Sequence, residues 1–402
     1  MLVALVAVAA ACGNGLVPGP GPSGPARPAG SSTLAGGAVA VPPPEGPTVS
    51  PPAALAANCS RDVSAVFQTW LNSLPSGQTV VMPGGSCYRL DQGLRLVEPK
   101  GLTLYGGTFR NGSTAPGTPA TGKGRPVVTV VGGANVTLEA MHISGMNQGG
   151  YHARLAFAGG IELEGTDHAT IRGVTISQTF GDGITLAPLR GGANRNSGHI
   201  VAPTSAVTIR DVTIERVGRQ GVTFASVEGA DVSDVIVHDP GLDTFDFEAD
   251  QGDEGARHVT IDGCRAIGGS LFFANGGAGG SAATGDITVE HCSMAKAEGG
   301  AALLVQSRRD AAVSRGPFQF VSDDLWCGTS DYVACVQLSG AQATLTDVTF
   351  RFPAGTVHEA VYHLDADSRA VFSSVSASGF GHPGTAAEGS TVEISGGRWT
   401  PA

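Results

Sequence analysis

The stretch Gly218-Arg-Gln-Gly-Val-Thr-Phe-Ala-Ser-Val-Glu-Gly-Ala-Asp-Val-Ser-Asp-Val-Ile-Val-His-Asp-Pro-Gly-Leu-Asp-Thr-Phe-Asp-Phe-Glu-Ala-Asp250 decides the fold. It holds two short apolar/polar alternations, Val222 to Ala225 and Phe245 to Glu248, with a third between them at Val232 to Val237. Period-two alternation marks a strand with one buried face. Val222, Phe224, Phe245 and Phe247 are therefore expected to point inward. Asp246 and Glu248 fall outward, and Arg219, Gln220 and Asp243 sit at the turns just before the strands. Several carboxylates and one guanidinium are thereby drawn to one face.

Composition agrees with strands. Of 402 residues 60 are Gly and 24 Pro, and only 15% are charged, a balance that does not support long helices. The net charge of −11 argues against nucleic acid as a partner, since phosphate binding favours a basic face. No apolar run approaches the roughly 18 residues needed to span a bilayer. Six of the seven cysteines fall into near pairs along the chain: Cys59 with Cys87, Cys264 with Cys292, and Cys327 with Cys335. Pairing by proximity makes these three disulfides and places the protein in an oxidising compartment.

Residues 1–12 form a short apolar run of small residues ending at Cys12. The run resembles the export signal of a bacterial lipoprotein, which implies lipidation at Cys12. It departs from that pattern in having no basic start, and in carrying Ala where Leu is usual three positions before the cysteine. Residues 13–57 are rich in Pro, Gly, Ala and Ser, cannot bury enough surface to order themselves, and are expected to be a tether. The folded domain is expected over 58–402. Ser60 is placed to cap a helix whose inner face carries Val63, Val66, Phe67, Trp70, Leu71 and Leu74.

Beyond the helix the chain repeats. One strand type recurs as Val136-Thr-Leu, Ala169-Thr-Ile, Val207-Thr-Ile, Val232-Ser-Asp, Val259-Thr-Ile, Ile287-Thr-Val, Ala343-Thr-Leu and Val392-Glu-Ile, with a weaker coil around Phe318. A second recurs between them as Ile161-Glu-Leu-Glu, Ile184-Thr-Leu-Ala, Val222-Thr-Phe-Ala, Phe245-Asp-Phe-Glu, Leu271-Phe-Phe-Ala, Ala302-Leu-Leu-Val, Val336-Gln-Leu-Ser and Tyr362-His-Leu-Asp. The intervals fall within the solenoid range of about 20 to 50 residues. Short strands without helices between them build an all-β, single-stranded parallel β-helix, each coil covering the one below.

The capping helix, the run Thr79-Val-Val-Met-Pro-Gly-Gly-Ser-Cys-Tyr-Arg-Leu90 and the Val-Thr-Ile coils resemble the right-handed parallel β-helix proteins of the pectin-lyase-like superfamily. The resemblance runs from Cys59 to the end of the chain. It implies the fold, while the superfamily's activities range over lyases, hydrolases, epimerases, esterases and tailspikes.

Stacking the coils about 4.8 Å apart turns the sequence into a surface map. One outward column reads Glu162, Thr185, Thr223, Asp246, Phe272, and the next reads Glu164, Ala187, Ala225, Glu248, Ala274, with Asn275 beside it. The turn before them reads Gly159, Asp182, Gln220, Asp243, Gly269, and an insertion at 189–203 with Arg190, Asn194, Arg195 and His199 is placed to wall one side. Solitary outward carboxylates on a solenoid commonly serve only solubility; concentration into a few adjacent coils is what argues for a site.

A glycoside hydrolase needs one protonated and one ionised carboxyl, and crowded carboxylates divide those roles by repulsion. Asp243, Asp246 and Asp182 are the leading candidates, with Glu248 beside them and Arg219 holding one ionised or binding a substrate oxygen. Glu162, Glu164, Gln220, Phe272 and Asn275 are candidates for holding the glycan, Phe272 by stacking on a sugar ring. The Asn-Thr-Asp, paired-aspartate, His-Gly and Arg-Ile-Lys motifs of polygalacturonase-like relatives are not found in order, so that activity is not assigned.

A second reading is a lyase or epimerase, in which Asp182, Asp243, Asp246 and Glu248 hold Ca²⁺ and Arg219 acts as base. The face is short of further cations to grip a polyuronate, and the epimerase-like Asp-Pro-His-Glu motif is missing. A third is a noncatalytic glycan-binding module. Each reading has a glycan partner, export from the cell, a monomer, and contact with a membrane only through a lipid at Cys12. Glu248 to Glu254 reads as a solvated acidic turn, and His238 and His258 as neighbours of the cluster.

Overall fold

The computed structural model describes residues 41–401, except 113–123, 149, 192–197, 250–252, 276–283, 296–301, 307–314, 328–333, 353–359 and 366. The lipoprotein-like signal and Cys12 lie outside the described residues, as do Asn194 and Arg195.

The period-two segments stack in parallel register, coil on coil. One face is an 11-stranded sheet running from Leu94–Val97 through Ile161–Glu164, Ile184–Ala187, Val222–Phe224, Asp243–Glu248 and Ser270–Asn275 to His382–Ala386. The Val-Thr-Ile segments and the short strands after them form a second, 24-stranded sheet that bends to supply the other two sides of each coil. Register along it is continuous: Thr137 pairs with Thr170, Thr170 with Thr208, and Thr260 with Thr288. The alternation predicts these strands because Val and Ile fill the interior while Thr stands outside. Ile171, Ile209, Ile261 and Val289 are all buried.

The corners come from single residues with left-handed backbone. Ala140, Gly173, Asp211, Asp234, Gly263, His291, Ser322, Asp347, Ser374 and Gly396 occupy one corner, coil after coil, with φ from 52 to 68°. Asn, Asp and Gly bear this conformation at least cost. Strands therefore pass through a bend without a loop, as in the 12-residue segments Thr204–Glu215 and Val227–His238.

Five expectations need correction. The cap is a helix over Ser64–Asn72. Ser60 lies in the preceding strand Asn58–Asp62 and does not cap it. Asp62 accepts the Ser64 N–H at 3.0 Å instead, and Val66 is 64% exposed. The tether does not reach residue 57: Thr48–Val49 pairs with Thr79–Val80 and Leu55 joins the core, so the solenoid begins earlier. One coil is offset, with Ala230-Asp-Val232 and not Val232-Ser-Asp in line with Val207-Thr-Ile. A coil at Arg369–Ser373, built on Ala370 and Phe372, lies between those read at Ala343 and Val392.

All three disulfides pair as expected. Cys264 and Cys292 follow one corner on adjacent coils, in an inward column that also holds Val212, Val235 and Val348.

Candidate functional site on the eleven-stranded face

Five consecutive strands of the eleven-stranded face carry the acid cluster. Three ladders cross them. The first, at the strand starts, reads Asp182, Gln220, Asp243, Ser270, tied by Gly183 N–H to Gln220 O and Gly221 N–H to Asp243 O, both at 2.9 Å. The second reads Glu162, Thr185, Thr223, Asp246, and the third has Glu164 beside Ala187 and Glu248 beside Asn275. Gly183 and Gly221 are required where they stand: a Cβ at either would lie 2.6 Å from the carbonyl oxygen of the next coil. Beneath the strands Phe224, Phe247 and Phe272 stack, with ring centres 4.5 and 4.9 Å apart, so the floor is rigid.

Arg219 crosses the ladders. Its Nη1 lies 3.5 Å from Asp182 Oδ2 on the coil before. Its Nη2 donates to Glu248 Oε2 at 2.9 Å and to Oε1 at 3.2 Å on the coil after. Asp182 also accepts from Thr185 Oγ1 at 3.1 Å and from the Gln220 backbone N–H at 3.3 Å. Gln220 Nε2 donates to Asp246 Oδ2 at 2.7 Å, and Asp243 is hydrogen-bonded by the Ser270 side chain.

The cluster faces away from the core, yet it is nearly sealed. Asp246 is 1% exposed, and Asp182, Arg219 and Gln220 are also buried. Asp243 and Glu248 are the partly exposed members. Burial governs the protonation states. Loss of water pushes the Asp243 carboxyl up to about 6, with the Ser270 hydrogen bond opposing and the Glu248 charge assisting. Asp246 is held well above the ordinary carboxylate range, first by burial and then by the charges of Glu248 and Asp243. Burial alone would lower Arg219, but Asp182, Glu248 and Asp246 outweigh it and keep the guanidinium protonated.

The structure therefore brings together Asp182, Arg219, Gln220, Asp243, Asp246 and Glu248. Glu162 and Glu164 occupy the same ladders, with Glu162 three coils below Asp246. Phe272 is not a surface platform: it pairs with Phe245 and is fully buried in the core. The reading slipped by one residue at Leu271, which also put Gly269 where Ser270 stands and Ala274 outward where it points in. Asn275 pairs with Glu248 in register, and its side chain lies outside the description. His238 and His258 belong to strands of the other sheet and not to the cluster.

The insertion after Ala187 forms an antiparallel hairpin, Leu189–Arg190 with Ile200–Ala202. The Arg190 side chain is only 5% exposed and is ion-paired to Glu254 and Asp253, with Asp253 3.2 Å away. Asp253 and Glu254 consequently clamp the hairpin; Asp253 stays exposed, as a solvated turn requires, while Glu254 is buried. The guanidinium of Arg219 lies between Asp182 and Glu248 and is ion-paired to both. Among the described residues no three or more His, Cys, Asp or Glu are grouped to hold a metal.

No protein-family model matches the chain, and no curated protein matches its sequence. Solved structures do. A tailspike protein of Escherichia coli bacteriophage HK620, a mutant in complex with a hexasaccharide, superposes with TM-score 0.57 at 15% identity over 84% of this chain and 61% of its own. The same tailspike with a pentasaccharide gives 0.56 at 13%, covering 84% and 62%. A polygalacturonase from Erwinia carotovora gives 0.47 at 14% over 90% and 99%. The chain thus spans about three fifths of the length of the tailspike structures. Likeness at this level establishes the fold alone, an all-β parallel β-helix solenoid.

Proposed function

We propose that the protein cleaves a glycan by hydrolysis at the eleven-stranded face, with Asp243 as proton donor and Glu248 as its ionised partner. The observation that supports this most is a cluster in which two carboxylates are ion-paired to one guanidinium and two neighbouring carboxyls are buried and raised. Arg219 bridges Asp182 and Glu248, while burial and crowding raise Asp243 and Asp246. Environments that push neighbouring carboxyls apart in pKa are what acid/base cleavage of a glycosidic bond uses. Asp243 and Glu248 are also the members solvent reaches. Asp246 lies between them on the same strand, its own carboxyl raised by burial and by the charges of Glu248 and Asp243. The oligosaccharide complexes of the tailspike support a saccharide as the ligand.

The lyase reading asks Arg219 to give up a proton, and its ion pairs oppose that. The three disulfides accord with export into an oxidising compartment. Lipidation at Cys12 and a monomeric state complete the proposal. A polysaccharide panel assayed both for new reducing ends and for ultraviolet-absorbing unsaturated ends tests it. Hydrolysis produces only the former. Unsaturated ends would replace the hydrolase with a lyase, and retention without cleavage would leave a binding module.

A further inference from the structure

Asp182 and Glu248 meet the same guanidinium, but solvent reaches them unequally. The Asp182 side chain is 5% exposed and that of Glu248 19%. Both oxygens of Asp182 are engaged from within the protein. Its Oδ1 accepts the Gln220 N–H at 3.3 Å, and its Oδ2 accepts from Thr185 Oγ1 at 3.1 Å and lies 3.5 Å from Arg219 Nη1. A carboxylate so enclosed is not where a glycan makes contact.

Arg219 is held at two corners. Nη1 faces Asp182 on the coil before, and Nη2 donates to both Glu248 oxygens on the coil after. The guanidinium is planar, so fixing both Nη groups blocks its rotation about Cζ–Nε and sets the direction of every N–H it presents. The carboxylate that receives those N–H groups is oriented in turn. Against the burial that opposes it, Asp182 supplies the largest of the charges that keep Arg219 protonated, ahead of Glu248. Support therefore runs over three coils, from Thr185 and the Gln220 backbone to Asp182, then to Arg219, then to Glu248.

Resting on the glycan-cleaving reading above, we infer that Asp182 is a positioning residue: it touches no substrate and acts through Arg219, whose fixed plane sets the Glu248 carboxylate for the reaction.

The test is a double-mutant cycle read in kcat. Misplacing a reacting group by about 1 Å can cost about 10²-fold, so Asp182→Asn should lower kcat by about that factor and change KM little. Glu248→Gln removes the group that Asp182 orients. Adding Asp182→Asn to it should lower kcat no further, because residues that act as a unit are not additive. Thr185→Val removes only a hydroxyl bond to Asp182; it should show the same non-additivity with a smaller loss, and stands in if Asp182→Asn does not fold. Losses that multiply in both backgrounds mean direct substrate contact or damage to the fold, and either overturns the inference while the glycan reading stands. A second readout needs no substrate. The Arg219 Nη proton signals, separate in the wild-type NMR spectrum while rotation is blocked, should merge in Asp182→Asn. Signals still separate in that variant would mean that Glu248 alone holds the plane, and would overturn the inference too. A wild-type protein that releases no reducing ends from any polysaccharide removes the glycan reading, and this role with it.

Discussion

At the scale of single residues the proposed chemistry depends on where protons sit. In the proposed hydrolysis Asp243 is an acid only while protonated, and its carboxyl is raised to about 6. Cleavage is therefore expected to fall as pH climbs through that value, which a pH–rate profile reads directly. Asp243→Asn should lower turnover by about 10²- to 10⁴-fold, the usual contribution of a general acid, without shifting thermal unfolding. Arg219 is different in kind. Removing it as Arg219→Met strands Asp182 and Glu248 without their cation, and denaturant unfolding should show a loss of about 3–5 kcal/mol.

Asp323 makes a separate prediction. It follows Cys292 in an otherwise apolar inward column and precedes Val348. Its Oδ1 accepts the Cys292 N–H at 2.8 Å, but Oδ2 has no partner. Burial, opposed by that hydrogen bond, raises it to about 7. A carboxyl that binds its proton more tightly when folded adds stability fully present below its unfolded pKa, and loses it as pH rises through about 7. The span from 3.8 to about 7 corresponds to roughly 4 kcal/mol. Asp323→Asn should accordingly raise the melting temperature at pH values above 7 and change little near pH 4. A gain of equal size at both would reject the assignment.

At the scale of elements, the strands were legible because Val, Ile and Thr alternate so regularly, and the corners were not. Gly and Pro were expected at the joins, yet Asp211, Asp234, His291 and Ser322 turn the chain in left-handed backbone with no loop to announce them. The slip at Leu271 has the same root. In Ser270-Leu-Phe-Phe-Ala three large apolar residues run together, so alternation cannot say which points inward, and only pairing with Phe245 decides for Phe272. A one-residue slip turns every side chain over, which is why Ser270 was missed while Asp243 and Asp246 were found. Coil spacing at the site depends on Gly221, whose added Cβ would strike Thr244 O and both methyls of Val237. Gly221→Ala should cost about 1–3 kcal/mol in thermal or denaturant unfolding, as overpacking does.

At the scale of the whole molecule, a stacked solenoid makes a site from residues that are distant in sequence and weak in motif. Asp182 and Glu248 are 66 positions apart, yet one guanidinium reaches both because only the Val222–Phe224 coil lies between them. The column map anticipated that convergence. It did not anticipate that Asp246 would be sealed, since burial depends on what packs over a surface and not on the alternation that orients it. The central claim is that this cluster cuts glycans, and one comparison tests it most directly: reducing ends released from a polysaccharide panel by the wild-type protein and by Asp243→Asn at pH 5. Release by the wild type and its loss in the variant is the predicted result. Equal release by both would contradict it.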